Sequence, residues 1–533
     1  MSVRRFFAAL SGLAVVMSAV TAAGTAASAD SGPVVRTSAG LVRGTVTADH
    51  REFLGIPYAA PPVGALRWRS PRPAAWWSGV RDATRPGSIC PQLAQDGSGV
   101  TGREDCLNLN VWTPVGGNRS ARHPVVVWIP GGGFVLGAGS QYDPTRLVTQ
   151  GGVVVVTVNY RLGALGFLRS PSLAAEDPDA GNYGFADQQA ALRWVRRDIA
   201  AFGGDPHNVT IAGQSAGGFS VCAHLASPAS RGLFDKAVAQ SGPCGNSFVT
   251  RSEAERRGAA AAAVLGCVSG NPGCLRSRSV ADLVALGADK VFTDTAPISA
   301  LPWLPVAGTV PLPEQPLTAI RGGTAAHVPF IHGGTRDEMS IFVAMNHGND
   351  QPLTADQYRA AVRNLFGTAG AAVLRRYPVE GYPSPGEALV RVLSDWGGKL
   401  GSCSMLPADD GMARRGPVYG YEFAEDSGIG PAQGMPFPLG APHGSDTQYL
   451  FDGTFAPPHP VTPDQQTLAR TMVAYLARFA ASGNPNGPGL PRWPAYGQGN
   501  VLSLASGPSG IVPTDLNVEH QCRFWSTVRA DRS

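Results

Sequence analysis

Val209-Thr210-Ile211-Ala212-Gly213-Gln214-Ser215-Ala216-Gly217-Gly218 is the stretch on which the reading of this chain turns. Val209 to Ala212 is rich in β-branched residues and predicts a strand, and Gly218 to Ala226 predicts a helix. Between them lies G-x-S-x-G. A sharp strand-to-helix turn leaves no room for side chains beside the serine, so glycine at 213 and 217 removes the Cβ atoms that would collide. The Ser215 hydroxyl is then expected to stand free at the carboxyl edge of a sheet, above a helix N-terminus. That is the setting of a nucleophile elbow. The competing reading is an ordinary glycine-rich turn, which a chain with 67 glycines in 533 residues must contain many times. The strand before and the helix after weigh against it.

The flanking sequence alternates in the same way. Val125 to Ile129 and Val153 to Val158 are short, continuous apolar runs, which suit strands buried on both faces of a parallel sheet. Ala186 to Phe202 predicts a helix with Ala190, Trp194, Ile199 and Phe202 on one face. Val328 to Ile331 and Val418 to Phe423 predict later strands. A last clear helix opens at Thr462-Pro463, an N-cap followed by proline at the first helical position, and stops at Gly483. Strand–helix alternation from about residue 120 to 245 gives an α/β fold, a mostly parallel sheet with helices on both faces. Residues 245–325 are less regular and are expected to decorate it. No repeat and no linker divides the chain.

A serine nucleophile needs donors for the developing oxyanion, a base and an acid. Gly131-Gly132-Gly133-Phe134 follows the strand ending at Ile129, and only glycine lets the backbone approach a reacting carbonyl so closely. The amides of Gly132, Gly133 and Ala216 are the expected donors. The chain order Ser, acid, His makes His443 a candidate base, in the loop Gly440-Ala441-Pro442-His443-Gly444. His332, His347 and His459 also follow Ser215, with His332 at a strand end and better suited to a structural role. Asp337-Glu338, after Ile331-His332-Gly333-Gly334, supplies the acid, and order and spacing do not choose between the two.

Composition narrows the class. Charged residues are 15% and hydrophobic residues 43%, a pattern for a folded core rather than a disordered chain. The net charge of +4 shows no basic clustering of the kind nucleic acid or an anionic membrane would need. Arg4-Arg5, the apolar stretch Phe6 to Val20 and Ala27-Ser28-Ala29 form an export signal, residues 1–29. The mature chain, 30–533, is expected to be a single secreted domain without a membrane anchor. Eight cysteines in an exported chain imply disulfides. Short loops suggest Cys90–Cys106 and Cys267–Cys274. No C-x-x-C pair or histidine cluster points to zinc, and no metal or other cofactor is expected.

Together these residues resemble the type-B carboxylesterases, the family of the cholinesterases, bile-salt-activated lipase, fungal lipases and the neuroligins. Phe202-Gly203-Gly204, Val209, Ile211 and Gly213 to Gly217 are similar to the family's serine signature, and Glu104-Asp105-Cys106-Leu107-Asn108-Leu109-Asn110-Val111-Trp112-Thr113-Pro114 to its second one. Phe53 to Ala59, Asn159-Tyr160-Arg161 and Asn486-Gly487-Pro488 match as well, so the likeness spans about residues 33–526. It implies an α/β-hydrolase fold and the triad Ser215, Glu338 and His443, choosing Glu338 over Asp337. It also implies the Cys90–Cys106 and Cys267–Cys274 pairs and a third, Cys403–Cys522, which leaves Cys222 and Cys244 to pair by elimination. Asn108, Met339 and Pro130 depart from the family pattern.

The resemblance implies a serine carboxylesterase that hydrolyses small-molecule esters through an acyl-enzyme. A lipase would need an apolar lid, which the sequence does not reveal. Choline esters are disfavoured, because Cys90 to Cys106 encloses no aromatic face for a cation and Gln214 stands where those enzymes place a Glu. A non-catalytic adhesion module would lack the nucleophile that this chain keeps.

Overall fold

The computed structural model describes residues 32–94, 96–115, 122–267, 271–287, 293–453 and 461–528. The export signal expected at 1–29 lies outside the described residues, as does His459. Among the described residues eleven strands form one sheet. They are β1 (Thr45–Val46), β2 (His50–Pro57), β3 (Asn108–Pro114), β4 (His123–Ile129), β5 (Val154–Val158), β6 (Gly204–Gln214), β7 (Lys236–Gln240), β8 (Phe330–Thr335), β9 (Val418–Phe423), β10 (Asn500–Leu504) and β11 (Ile511–Asp515). Their order across the sheet is β11-β10-β9-β8-β7-β6-β4-β5-β3-β2-β1. The strands from β5 through β10 in that order run parallel, with antiparallel strands at both edges.

The continuous apolar runs have the cause expected of them. In β4, Val125, Val127 and Ile129 enter one core, whereas Val126 and Trp128 enter the other. Helices α1 (Tyr183–Asp198) and α2 (Ala216–Ala226) cover the first face with Phe185, Leu192, Trp194, Phe219 and Val221. Helix α3 (Pro463–Ser482) covers the second with Leu468, Met472, Leu476 and Phe479. Its N-cap Thr462 accepts from the Gln465 amide, and Gly483 ends it in the left-handed conformation. This is an α/β fold with a large, mostly parallel sheet and helices on both faces.

Two strand readings shift. The strand expected at Val328 to Ile331 begins at Phe330 and runs to Thr335. Pro329 has no N–H for the ladder, and Gly333 and Gly334 extend the strand because β9 pairs with them. Strand β6 starts before Val209, at Gly204, across a break in its pairing with β4. The described residues of 245–325 are less regular, as expected, holding one 14-residue helix, Arg251–Val264, several shorter ones and a two-stranded pair, Val249–Thr250 with Val306–Ala307.

Candidate active site

The turn after β6 carries Ser215 at φ 58° and ψ −121°, a strained conformation that a non-glycine residue holds only when its surroundings enforce it. The enforcement is steric. A methyl group at Gly217 would lie 2.0 Å from the Ile129 carbonyl oxygen, and one at Gly213 would lie 2.6 Å from the backbone of Gly217. The Ser215 amide donates to the Gln240 carbonyl at 2.9 Å, tying the turn to β7. The Ser215 hydroxyl makes no hydrogen bond among the described residues and stands at the N-terminus of α2.

The glycine turn after β4 lies against this elbow. A methyl at Gly131 would sit 3.3 Å from the Ser215 Cβ. Gly132, Gly133 and Phe134 all have positive φ, at 110°, 59° and 62°. The turn closes on itself, with the amides of Val135 and Leu136 both donating to the Gly132 carbonyl. The amides of Gly132, Gly133 and Ala216 donate to no protein acceptor among the described residues, so all three are free to serve a ligand.

Glu338 and His443 come together across 105 positions of sequence, with Glu338 Oε2 at 2.5 Å from His443 Nδ1. Glu338 is fully buried, and its Oε1 accepts from the Thr335 amide at 2.8 Å. The neighbouring acid has a different task. Asp337 Oδ2 accepts from the Ala441 amide and from Arg336, fastening the base of the loop that carries His443. Phe342 packs its ring 5.3 Å from the imidazole. A buried polar group lies nearby in sequence. Asp446, three residues after His443, accepts from Tyr421 at 2.7 Å and Gln240 at 3.1 Å. Burial pushes the Asp446 carboxyl up to about 6, and the charge of Glu338 adds to this. Asp446, Tyr421 and Gln240 are invisible to motif reasoning, although the spacing of Asp446 from His443, one turn on, is a usable signal.

Of the other histidines, His332 is buried in β8 with Nδ1 at 2.6 Å from Asp409, and His347 pairs with Asp294 at 3.0 Å. Neither reaches the elbow. Among the described residues no group of His, Cys, Asp and Glu could hold a metal ion. All eight cysteines are paired, as Cys90–Cys106, Cys222–Cys244, Cys267–Cys274 and Cys403–Cys522. No helix among the described residues is long and apolar enough to cross a membrane.

Residues 31–525 match the carboxylesterase family. The chain is 36% identical over 503 residues to para-nitrobenzyl esterase of Bacillus subtilis (strain 168), covering 91% of this chain and 96% of that one. The chain belongs to the carboxylesterase family. Human cocaine esterase is 32% identical over 538 residues, covering 92% of this chain and 91% of that one. A solved structure of a PNB esterase superposes with a TM-score of 0.76 at 34% identity, over 93% of this chain and 100% of that one. This carboxylesterase therefore has the α/β-hydrolase fold and is a carboxylic ester hydrolase.

A cavity of about 1930 Å³ is lined by Phe248, Ile298, Leu353, Trp396 and Trp525 among others. Ser215, Glu338 and His443 are not in that lining. Phe342 and Lys399 stand between, since Lys399 Nζ lies 5.1 Å over the Phe342 ring and the Lys399 carbonyl accepts from Asn246 at the cavity wall. Burial lowers the Lys399 ammonium to about 8.

Proposed function

We propose that this carboxylesterase is a secreted serine esterase that works through an acyl-enzyme, with Ser215, Glu338 and His443 as its triad. The observation that carries the reading is the close Glu338–His443 pair beside a strained, unbonded serine. Ser215 Oγ attacks the ester carbonyl as its proton passes to His443 Nε2. Glu338 stabilises the imidazolium. The amides of Gly132, Gly133 and Ala216 receive the oxyanion, a service worth about 10²–10³ in kcat per donor. His443 then gives its proton to the departing alcohol. Water, deprotonated by the same imidazole, releases the acid and restores Ser215.

Secretion is supported by the n-region, apolar stretch and Ala27-Ser28-Ala29 at the N-terminus, and by four disulfides. On this reading residues 30–533 act as one catalytic domain. The names of the relatives point to small aromatic esters as the substrate class. The test is hydrolysis of p-nitrophenyl butyrate by purified wild type and Ser215→Ala. The wild type hydrolyses it and the variant loses the activity by at least about 10³-fold. Unchanged turnover in the variant refutes the assignment. A panel of acyl chains from two to sixteen carbons, run alongside, separates an esterase from a lipase by where the rate peaks.

A further inference from the structure

Gln214 is only 7% exposed. Its backbone ends β6 and its side chain turns to the histidine loop, where the amide nitrogen lies 3.1 Å from His443 Nε2. A methyl at Gly131 would sit 3.1 Å from the Gln214 side-chain oxygen, and one at Gly444 would sit 3.5 Å from its nitrogen. The amide thus bridges the glycine turn and the histidine loop.

The other end of the imidazole fixes the polarity of this contact. Glu338 accepts from the Thr335 amide at one oxygen and faces His443 Nδ1 with the other. An ionised carboxylate so placed needs a proton on Nδ1. A neutral ring with Nδ1–H offers a lone pair at Nε2, and only the NH₂ of the Gln214 amide can serve it. An imidazolium would instead turn an Nε2–H against an NH₂ donor.

We propose that Gln214 is a positioning residue that holds His443 as the Nδ1–H tautomer and disfavours the imidazolium in the free enzyme. This rests on the reading of His443 as the base. The amide occupies the lone pair that Ser215 uses, which accounts for the unbonded serine hydroxyl. Ser215 takes over that lone pair when an ester enters.

Titration exposes the effect. The charged groups that face His443 are Glu338, with Arg336 and Asp337 at the base of the loop, Asp446 on the turn that follows, and Lys399 beyond Phe342. None of them is altered by a change at position 214. A carboxylate there would accept from Nε2–H and favour the imidazolium, raising the pH at which His443 loses its proton. A methionine removes the donor without adding charge.

Two measurements decide it. Long-range ¹H–¹⁵N spectra of the wild-type protein at pH 8 should show His443, assigned by its loss in His443→Gln, as the Nδ1–H tautomer. An Nε2–H tautomer overturns the proposal. The acid limb of kcat/KM on p-nitrophenyl butyrate should move up in the order wild type, Gln214→Met, Gln214→Glu, by about one pH unit or more for the last. An unmoved limb in both variants, or a uniform loss at every pH, overturns it too. If Gln214→Glu fails to fold, the acid limb of Gln214→Met decides, and an Nε2–H tautomer in the wild type still overturns the proposal. Should Ser215→Ala stay active while tautomer and limb behave as stated, the nucleophile assignment has failed and the role of Gln214 stands.

Discussion

Two adjacent acids illustrate what a residue owes to its surroundings. Asp337 and Glu338 are interchangeable in sequence, because either could follow a strand and face a histidine. Tertiary packing separates them, sending Glu338 to His443 and Asp337 to the Ala441 amide. Glu338→Gln should therefore lower kcat on p-nitrophenyl butyrate by about 10³–10⁴-fold, since an amide can no longer stabilise the imidazolium. Asp337→Asn should stay within about tenfold of wild type. Comparable losses in the two variants would reverse the roles. The candidates Ser215 and the glycine turn were legible from their motifs, and His443 from chain order together with the family likeness. Asp446 and Tyr421 were not, because they belong to no motif and are brought behind His443 only by the loop and β9.

At the scale of elements, the elbow depends on backbone crowding that no substitution can relieve. Gly217→Ala drives a methyl into the Ile129 carbonyl, and the β4 strand that owns this carbonyl is buried on both faces. The expected outcome is loss of soluble, folded protein. Gly232 makes the contrast, because it has φ 75° and open space around its Cβ position. Gly232→Ala should cost only about 1 kcal/mol of strain, read as a small drop in melting temperature. Equal behaviour of the two variants would show that the crowding is relaxed by movement of β4. Strands β4 and β5 were readable from their continuous apolar runs, and β6 and β9 were also anticipated. Strands β3 and β7 inside the sheet and β1, β2, β10 and β11 toward its two ends were not, because they are short or carry polar residues within the run. The end of β8 was missed because its glycines score poorly as strand, yet β9 pairs with both of them and β7 with Gly333.

At the scale of the molecule, two of the contacts that fasten the C-terminal segment to the body stand out. Cys403–Cys522 closes a separation of 119 residues, for which chain entropy gives about 4–5 kcal/mol. The second fastening is His520, buried between Asp395 at 2.7 Å and Glu422. Burial opposes a charge on this ring, but its hydrogen bonds to the two carboxylates and their charges outweigh it and push the imidazole up to about 9. A raised histidine value stabilises the fold fully below its unfolded value of about 6.5, and the gain is lost as pH rises through about 9. Melting temperature should therefore fall from pH 6.5 to 9.5 in the wild type more steeply than in His520→Gln. Parallel curves would remove His520 as the cause. The disulfide pairs at short spacing were suggested by the sequence, whereas His520 was hidden, since its two carboxylates lie about 100 and 125 positions away.

The central claim is that Ser215 is the nucleophile of this carboxylesterase. Its most direct test is to inactivate the wild-type enzyme with a dialkyl phosphoryl ester and map the adduct by peptide mass spectrometry. One phosphoryl group per chain on Ser215, rising in step with the loss of activity, is the predicted result. Full inactivation with Ser215 unmodified would contradict it.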